Sequence, residues 1–340
     1  MEIGAYVTGM SWLTRPEAWT WQQLKSAWLE VESLGYDYCW TMDNVVGALP
    51  FEPEVPVFDT WTILGAIADA THRIKFGTMV TPYGRRRPAV IAKSSSVLDV
   101  ISDGRFQLGM GPGDEPQQHE PWGQPYPAAS ERIAILREEL EIIKRMWTEE
   151  HASFEGKHYT IKDAVNNPKP VQQPYPPIWL GIIFGRKLMP RLAAEYADGI
   201  NIWIGEDAQA VDRLDLVAGH CKDLGRDFGE IKKSRTVSVG FAQEEVDIDA
   251  AIERRAGVLG VPVENLAHQH KILDALYVGP PEGCAEAIRK RTADLGFDQI
   301  LLTFNSLGDF SDQGDASGYE LEMNLLRTFA KEVMPALQAS

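Results

Sequence analysis

The sequence predicts an α/β fold, a closed TIM (β/α)8 barrel, and three observations predict it. Eight short apolar runs alternate with amphipathic helical segments along the chain, the alternation that builds a parallel sheet covered by helices. Those runs are apolar almost throughout, as strands buried on both faces must be. The length of 340 residues accommodates a barrel of roughly 250 residues with insertions.

Residues 3–8 read as the first strand, and Trp21, Leu24, Trp28 and Val31 share one face of the helix that follows, with Gly35 as its stop. The second strand, 36–42, ends at Asp43-Asn44. A loop with Pro50, Pro53 and Pro56 then leads into a helix near 59–70, and its length marks it as a candidate wall of a site. The third strand, 74–81, is followed by the basic loop Arg85-Arg86-Arg87 and a helix opened by Pro88. In the fourth strand Phe106, Leu108 and Met110 alternate with smaller or polar residues. Gly109, Gly111 and Gly113 leave its end bare for the close approach of a flat or phosphorylated group, and Pro112 turns the chain to deliver Asp114. Ile133, Leu136, Leu140, Ile143 and Trp147 mark the next helix.

Residues 150–176 break the rhythm with a small hairpin at 151–162 and a proline-rich connector, an insertion near the fifth strand. Strands resume at 177–183, 198–204, 235–241 and 299–304, with helices near 187–197, 208–225 and 317–334 and a helical insertion at 245–294 between strands seven and eight. Because βα units continue on both sides of the connector, residues 1–340 read as one domain.

A formal net charge of -16 sets up a field that repels phosphate, which argues against nucleic acid and anionic membranes as partners. Cys39, Cys221 and Cys284 are odd in number and far apart, so a reducing cytoplasm is expected. No leader-like segment or membrane-length apolar run is present in the sequence. Any anionic ligand must be held by local positive groups.

In such a barrel the loops after the strand C-termini carry function, which gathers Thr8–Trp12, Asp43-Asn44, Thr81–Arg87, Gly111–Asp114, Phe184–Lys187 and Trp203–Asp207 on one rim. Gly109–Asp114 is not a dinucleotide fingerprint, since Pro112 interrupts the turn where a helix should start. His268 and His270 would point to different faces of a helix, so no metal site is read. Gly185-Arg186-Lys187 opens a helix and outlines a phosphate site, against the plainer reading of a basic helix start. Arg85–Arg87 read equally as solvated loop arginines or as charge for an anionic ligand. Asp43 reads as a ligand or as a loop cap.

The segments Trp40–Asn44, Phe76–Pro82, Arg87–Lys93, Asp103–Gly111 and Pro176–Gly181, with Ala197–Gly199, resemble the bacterial luciferase-like flavin and deazaflavin oxidoreductases over nearly the whole chain. Gly111-Pro112-Gly113-Asp114 is similar to the branch that uses coenzyme F420, a deazaflavin, which includes the methylenetetrahydromethanopterin reductases. The resemblance implies a cofactor ring across the barrel mouth. A bulge with a non-prolyl cis peptide would support it at Met79-Val80, and Gly111, Pro112 and Gly113 would lie along it. The phosphate loop would be Ile183, Phe184, Gly185, Arg186 and Lys187, with Asp43 and Asn44 beside the ring. Asp114 matches an acidic position that serves as proton donor or electrostatic partner.

Two departures bear on function. Asn44 stands where many members have histidine, and asparagine cannot exchange a proton near neutral pH. Of the catalytic positions the resemblance implies, Asp114 and Asn44, only Asp114 can then move protons. Ile182-Ile183-Phe184 replaces a glycine run that many members have before the phosphate loop. Three readings follow: an F420-dependent oxidoreductase moving hydride to or from a small organic substrate, an FMN-dependent monooxygenase, or a barrel without cofactor in a binding or structural role. The resemblance also implies a homodimer; Trp61, Leu64 and Ala68 with Val90, Ser94 and Val97 suit a helix-helix interface, and the same faces read equally as packing on the barrel.

Overall fold

Eight parallel strands close into a ring in the computed structural model. They are β1 (Glu2–Tyr6), β2 (Tyr38–Thr41), β3 (Lys75–Thr78), β4 (Phe106–Gly111), β5 (Ile178–Ile182), β6 (Gly199–Ile202), β7 (Lys232–Phe241) and β8 (Gln299–Phe304). Closure is seen in the register, where Gln299 of β8 pairs with both Glu2 of β1 and Ser234 of β7, and β4 pairs with β3 and β5. The structure describes residues 1–11, 17–47, 54–113, 115–183, 185–244, 246–259, 262–267, 275–304 and 317–339.

Between the strands run α1 (Trp21–Ser33), α2 (Thr60–Ala70), α3 (Pro88–Ile101), α4 (Ala129–Thr148), α5 (Leu188–Tyr196) and α6 (Asp207–Leu224). Their starts follow from local chemistry. Thr20 and Gln23 form a reciprocal capping box on α1, the Asp59 carboxylate accepts the Thr62 N–H on α2, and Pro88 opens α3. Outward strand residues such as Ile3, Phe76, Leu108 and Ile300 join the apolar faces of these helices in the main core. The inward residues Tyr38, Trp40, Met79, Trp179 and Leu301 form a separate cluster. There the Trp40 and Trp179 rings meet edge to face at 5.5 Å, and the Trp179 indole N–H donates to the Gln107 side chain. Filled by these rings, the interior is a core and not a channel, which leaves the upper rim for ligands.

The insertion at 150–176 contains the expected hairpin, with strands Ala152–Glu155 and Thr160–Ala164. The Glu138 carboxylate of α4 accepts the N–H groups of Lys157, His158 and Tyr159 and so holds the hairpin turn. The segment 245–294 differs from the helical expectation. Besides α7 (Ile248–Leu259), α8 (Val263–Ala267) and α9 (Pro281–Arg291) it contains the strand Ala275–Gly279. That strand pairs with Val237–Phe241, because β7 runs past the end of β6 and its upper edge would otherwise leave backbone groups unpaired. The final βα unit ends in α10 (Gly318–Thr328).

Of the two readings of the α2 face, packing on the barrel is the one seen. Trp61, Leu64 and Ala68 are buried in the barrel core, because the apolar stripe of a barrel helix is used first against its own sheet. Val90 on α3 is 52% exposed. No described helix is long and apolar enough to cross a membrane.

Candidate active site at the upper rim of the barrel

Asp43 follows β2 at the rim and is buried. Its Oδ2 accepts from the Trp61 indole N–H at 3.1 Å, the Thr81 hydroxyl at 3.0 Å and the Arg86 guanidinium. Its Oδ1 is buried without a hydrogen-bond partner, an acceptor with spare capacity. Arg86 also binds Asp59 and lies over the Trp61 ring. The three-arginine loop is therefore not wholly a free positive patch: Arg86 pairs with two carboxylates, Arg85 donates to the Gln118 carbonyl, and Arg87 is exposed.

The Met79–Val80 peptide is cis. Tyr6 donates its hydroxyl to the Met79 carbonyl at 2.7 Å, the Met79 N–H reaches the Thr41 carbonyl at 2.8 Å, and the Asp43 N–H approaches the Val80 carbonyl at 3.5 Å. The Val80 side chain lies against β4 and β5, where a Cβ on Gly111 would meet Val80 Cγ2 at 2.7 Å and one on Gly181 would meet Cγ1 at 3.1 Å. Gly111 is required here by volume, and its backbone dihedral is an ordinary one. Trp203, after β6, meets Tyr6 edge to face at 6.1 Å. Asn44 is half-buried with its Nδ2 at 2.8 Å from Met42 Sδ.

Gly113 has φ 64, and Arg132 of α4 donates to the carbonyls of Pro112 at 2.9 Å and Gly113 at 3.1 Å. Asp114 and Phe184 lie outside the described residues, as do His268 and His270. Ile183 is half-buried, whereas Gly185, Arg186 and Lys187 are exposed before α5. Arg186 pairs with Asp212 of α6 at 2.6 Å. Gly185 has φ 85 and open space where a side chain would stand. The rim thus joins Asp43, Met79, Val80 and Gly111 through direct contacts, while 185–187 stand apart on the β5 side.

Several residues here carry no local signature in the sequence. Tyr6, Trp203 and Gln118 are examples, because their roles depend on partners distant along the chain. Glu139 of α4 is another: fully buried, its Oε1 accepts the Gly84 N–H and the Tyr159 hydroxyl, both at 2.8 Å. Burial pushes its carboxyl up to about 8 despite those two donors. Since the folded state holds the proton that the unfolded chain releases near the ordinary value of 4.5, the sign of the linkage is set. This contribution to stability is full below the unfolded value and is lost as pH rises towards 8, on the order of a few kcal/mol. Denaturant unfolding followed from pH 5 to 8 should show that decline in the parent, and Glu139→Gln should flatten it. An unchanged slope in the variant would mean that Glu139 is ionised in the fold. His119, stacked on Tyr83 at 5.2 Å, moves the opposite way, down to about 4, through burial and then Arg85.

An open cavity of about 510 Å³ lies at the other end of the barrel, lined in part by Glu2, Asp37, Lys232, Lys233 and Asp298. Its lysines are paired, Lys232 with Glu2 and Lys233 with Asp298. Strand N-termini in this fold serve stability. The rim at the strand C-termini is the better candidate.

A model of the luciferase-like monooxygenase family matches residues 1–276. The chain belongs to that family. Within the luciferase-like proteins, an F420-dependent glucose-6-phosphate dehydrogenase of Segniliparus rotundus is 31% identical over 326 residues, covering 87% of this chain and 90% of that protein. A phthiodiolone/phenolphthiodiolone dimycocerosates ketoreductase of a Mycobacterium species is 30% identical over 213 residues, covering 61% of this chain and 54% of the relative. Among solved structures, an F420-dependent secondary alcohol dehydrogenase in complex with an F420-acetone adduct superposes with a TM-score of 0.78 at 16% identity, over 99% of this chain and 98% of the other. The coenzyme F420-dependent tetrahydromethanopterin reductase of Methanopyrus kandleri gives 0.75 at 18% identity, over 99% of both chains. Both carry the barrel fold seen here.

Proposed function

We propose that this luciferase-like protein is an oxidoreductase that binds coenzyme F420 across the upper rim and moves a hydride between it and a small organic alcohol or carbonyl compound. The observation that carries the reading is the buried Asp43 carboxylate with one unpartnered oxygen, next to the Met79–Val80 turn. It suits a flat ring that presents hydrogen-bond donors at its edge. The space at Gly185 and the exposed cations beside it suit a phosphate tail. Relatives along most of the chain carry F420 in their names, which favours this cofactor over FMN. The residues present fit the group.

When bound, the deazaflavin supplies the hydride chemistry, and the protein supplies position and proton management. In this reading the Val80 side chain, wedged between Gly111 and Gly181, forms the floor, and Asp43 and Asn44 orient the ring edge. Ile183 to Lys187 hold the phosphate. Asp114 exchanges the proton of the substrate oxygen as the hydride leaves or reaches the neighbouring carbon.

Titration of the purified protein with F420 and with FMN, followed by absorbance and fluorescence, tests the cofactor. F420 is expected to bind and FMN to bind at least about tenfold more weakly, a difference of about 1.4 kcal/mol. Arg186→Ala with Lys187→Ala should weaken F420 binding and flatten its salt dependence. Because Arg186 is already engaged by Asp212, Lys187→Ala alone should have a larger effect than Arg186→Ala alone. Equal affinity in parent and variants across a salt series would remove these residues from the site.

A homodimer and a cytoplasmic location belong to the same proposal. Val90, Val100 and Ile101 leave apolar side chains exposed on α3, and a two-fold contact between α3 helices would cover them. A monomer mass by light scattering would exclude the dimer. The free cysteines are all buried, which suits a reducing compartment.

A further inference from the structure

Gln118 ends a short 3-10 turn (Pro116–Gln118) in the loop after β4, yet its side chain is 3% exposed. Its amide is used against the loop after β2. The Oε1 accepts the N–H groups of Val45 at 3.0 Å and Val46 at 3.4 Å. The Nε2 donates to the carbonyls of Val46 at 3.1 Å and Gly47 at 3.4 Å, with the Glu115 carboxylate also at 3.4 Å. Both ends of one side chain thus grip the three residues that follow Asn44. The Gln118 carbonyl in turn accepts from Arg85 of the loop after β3. Three rim loops meet at this residue.

We propose that Gln118 is a positioning residue of the cofactor site: its side-chain amide sets the path of Val45–Gly47 and through it the placement of Asn44 against the F420 ring. The inference rests on the F420 reading above. The physical ground is that, among the described residues, the Asn44 side chain makes one hydrogen bond, a weak one to the Met42 sulfur, so the backbone that follows must hold its position. A loop is held by hydrogen bonds when it lacks apolar packing, and removing a two-ended amide frees buried backbone groups on both sides of it. Gln118 acts through Asn44 and makes no claim on the reacting atoms.

The test is a double-mutant cycle on full-length protein with F420 fluorescence titration as the readout, accompanied by thermal unfolding of each variant. Gln118→Ala is expected to weaken F420 binding about tenfold, the scale of losing one to two buried hydrogen bonds. Asn44→Ala should weaken it by a similar factor, and the double variant should be no weaker than the weaker single. Gln118→Met, which keeps the length of the side chain but lacks the amide that serves Val45, Val46 and Gly47, should bind F420 as weakly as the alanine variant. It also serves if Gln118→Ala does not fold. Parental affinity in a folded Gln118→Ala overturns the proposal, as do additive effects in the double variant. If Asn44→Ala binds like the parent while Gln118→Ala does not, the route through Asn44 is wrong but the F420 reading stands. Failure of the parent itself to bind F420 removes both.

Discussion

Replacing Asp43 with alanine is expected to abolish measurable F420 binding and to lower the unfolding free energy by about 3–5 kcal/mol, the range for breaking a buried, hydrogen-bonded ion pair from one side. The reason lies in what the carboxylate leaves behind. Arg86, the Trp61 indole and the Thr81 hydroxyl all converge on Oδ2, and Arg86 would keep only the more exposed Asp59. A guanidinium stripped of its buried partner costs more than the pair contributed. Because Asp43 also contacts the turn at Val80 through its backbone, loosening it should reach the ring site as well. Asp43→Asn keeps the shape and an acceptor but not the charge, so it should lose less stability. Urea unfolding of the two variants, beside F420 titration at a temperature where both are folded, separates stability from binding. If Asp43→Ala unfolds at the parental midpoint, the buried network is not the support described here.

The second large effect is kinetic. Asp114→Asn is expected to lower turnover by roughly two to four powers of ten, the usual range for general acid-base catalysis, while leaving F420 affinity unchanged. Asp114 itself lies outside the described residues, but the chain leading to it is firmly held: Arg132 fixes the carbonyls of Pro112 and Gly113 and lies 4.1 Å over the Tyr126 ring. Asn44 cannot take the proton, and His119 is pushed to a pKa of about 4 by burial and Arg85, which leaves it a poor acid near neutral pH. Steady-state rates with an oxidisable alcohol or reducible carbonyl, measured together with F420 binding, decide the matter. Parental turnover in Asp114→Asn would reduce Asp114 to a structural carboxylate and assign the proton to water or to the substrate.

The barrel was legible in the sequence because each strand and helix advertises its own burial. Phe106, Leu108 and Met110 are fully buried on β4, and a segment that must be covered on both faces is apolar wherever it occurs. The missed strand Ala275–Gly279 is the exception that fits the same logic. It lies inside a stretch read as helical, and it exists because β7 offers an unpaired edge, which no local pattern reports. The rim loops were legible as places, since they follow strand C-termini, but not as chemistry. Arg85–Arg87 read equally as solvated arginines or as ligand-binding charge from sequence, and only the fold turns Arg86 inward onto Asp43.

What the sequence by itself determined is therefore the alternation and the closure of eight strands. Hydrophobic periodicity is a property of neighbouring residues and survives without knowledge of the partner. Which polar groups are spent on each other was decided only by tertiary structure. Arg86 meets Asp43 across 43 positions and Gln118 meets Val45 across 73, and such pairs form because a buried donor or acceptor left alone is costly, whatever its distance along the chain. Burial of apolar surface likewise turned Trp61 and Leu64 towards the barrel. A helix has one apolar stripe, and the nearest sheet claims it first.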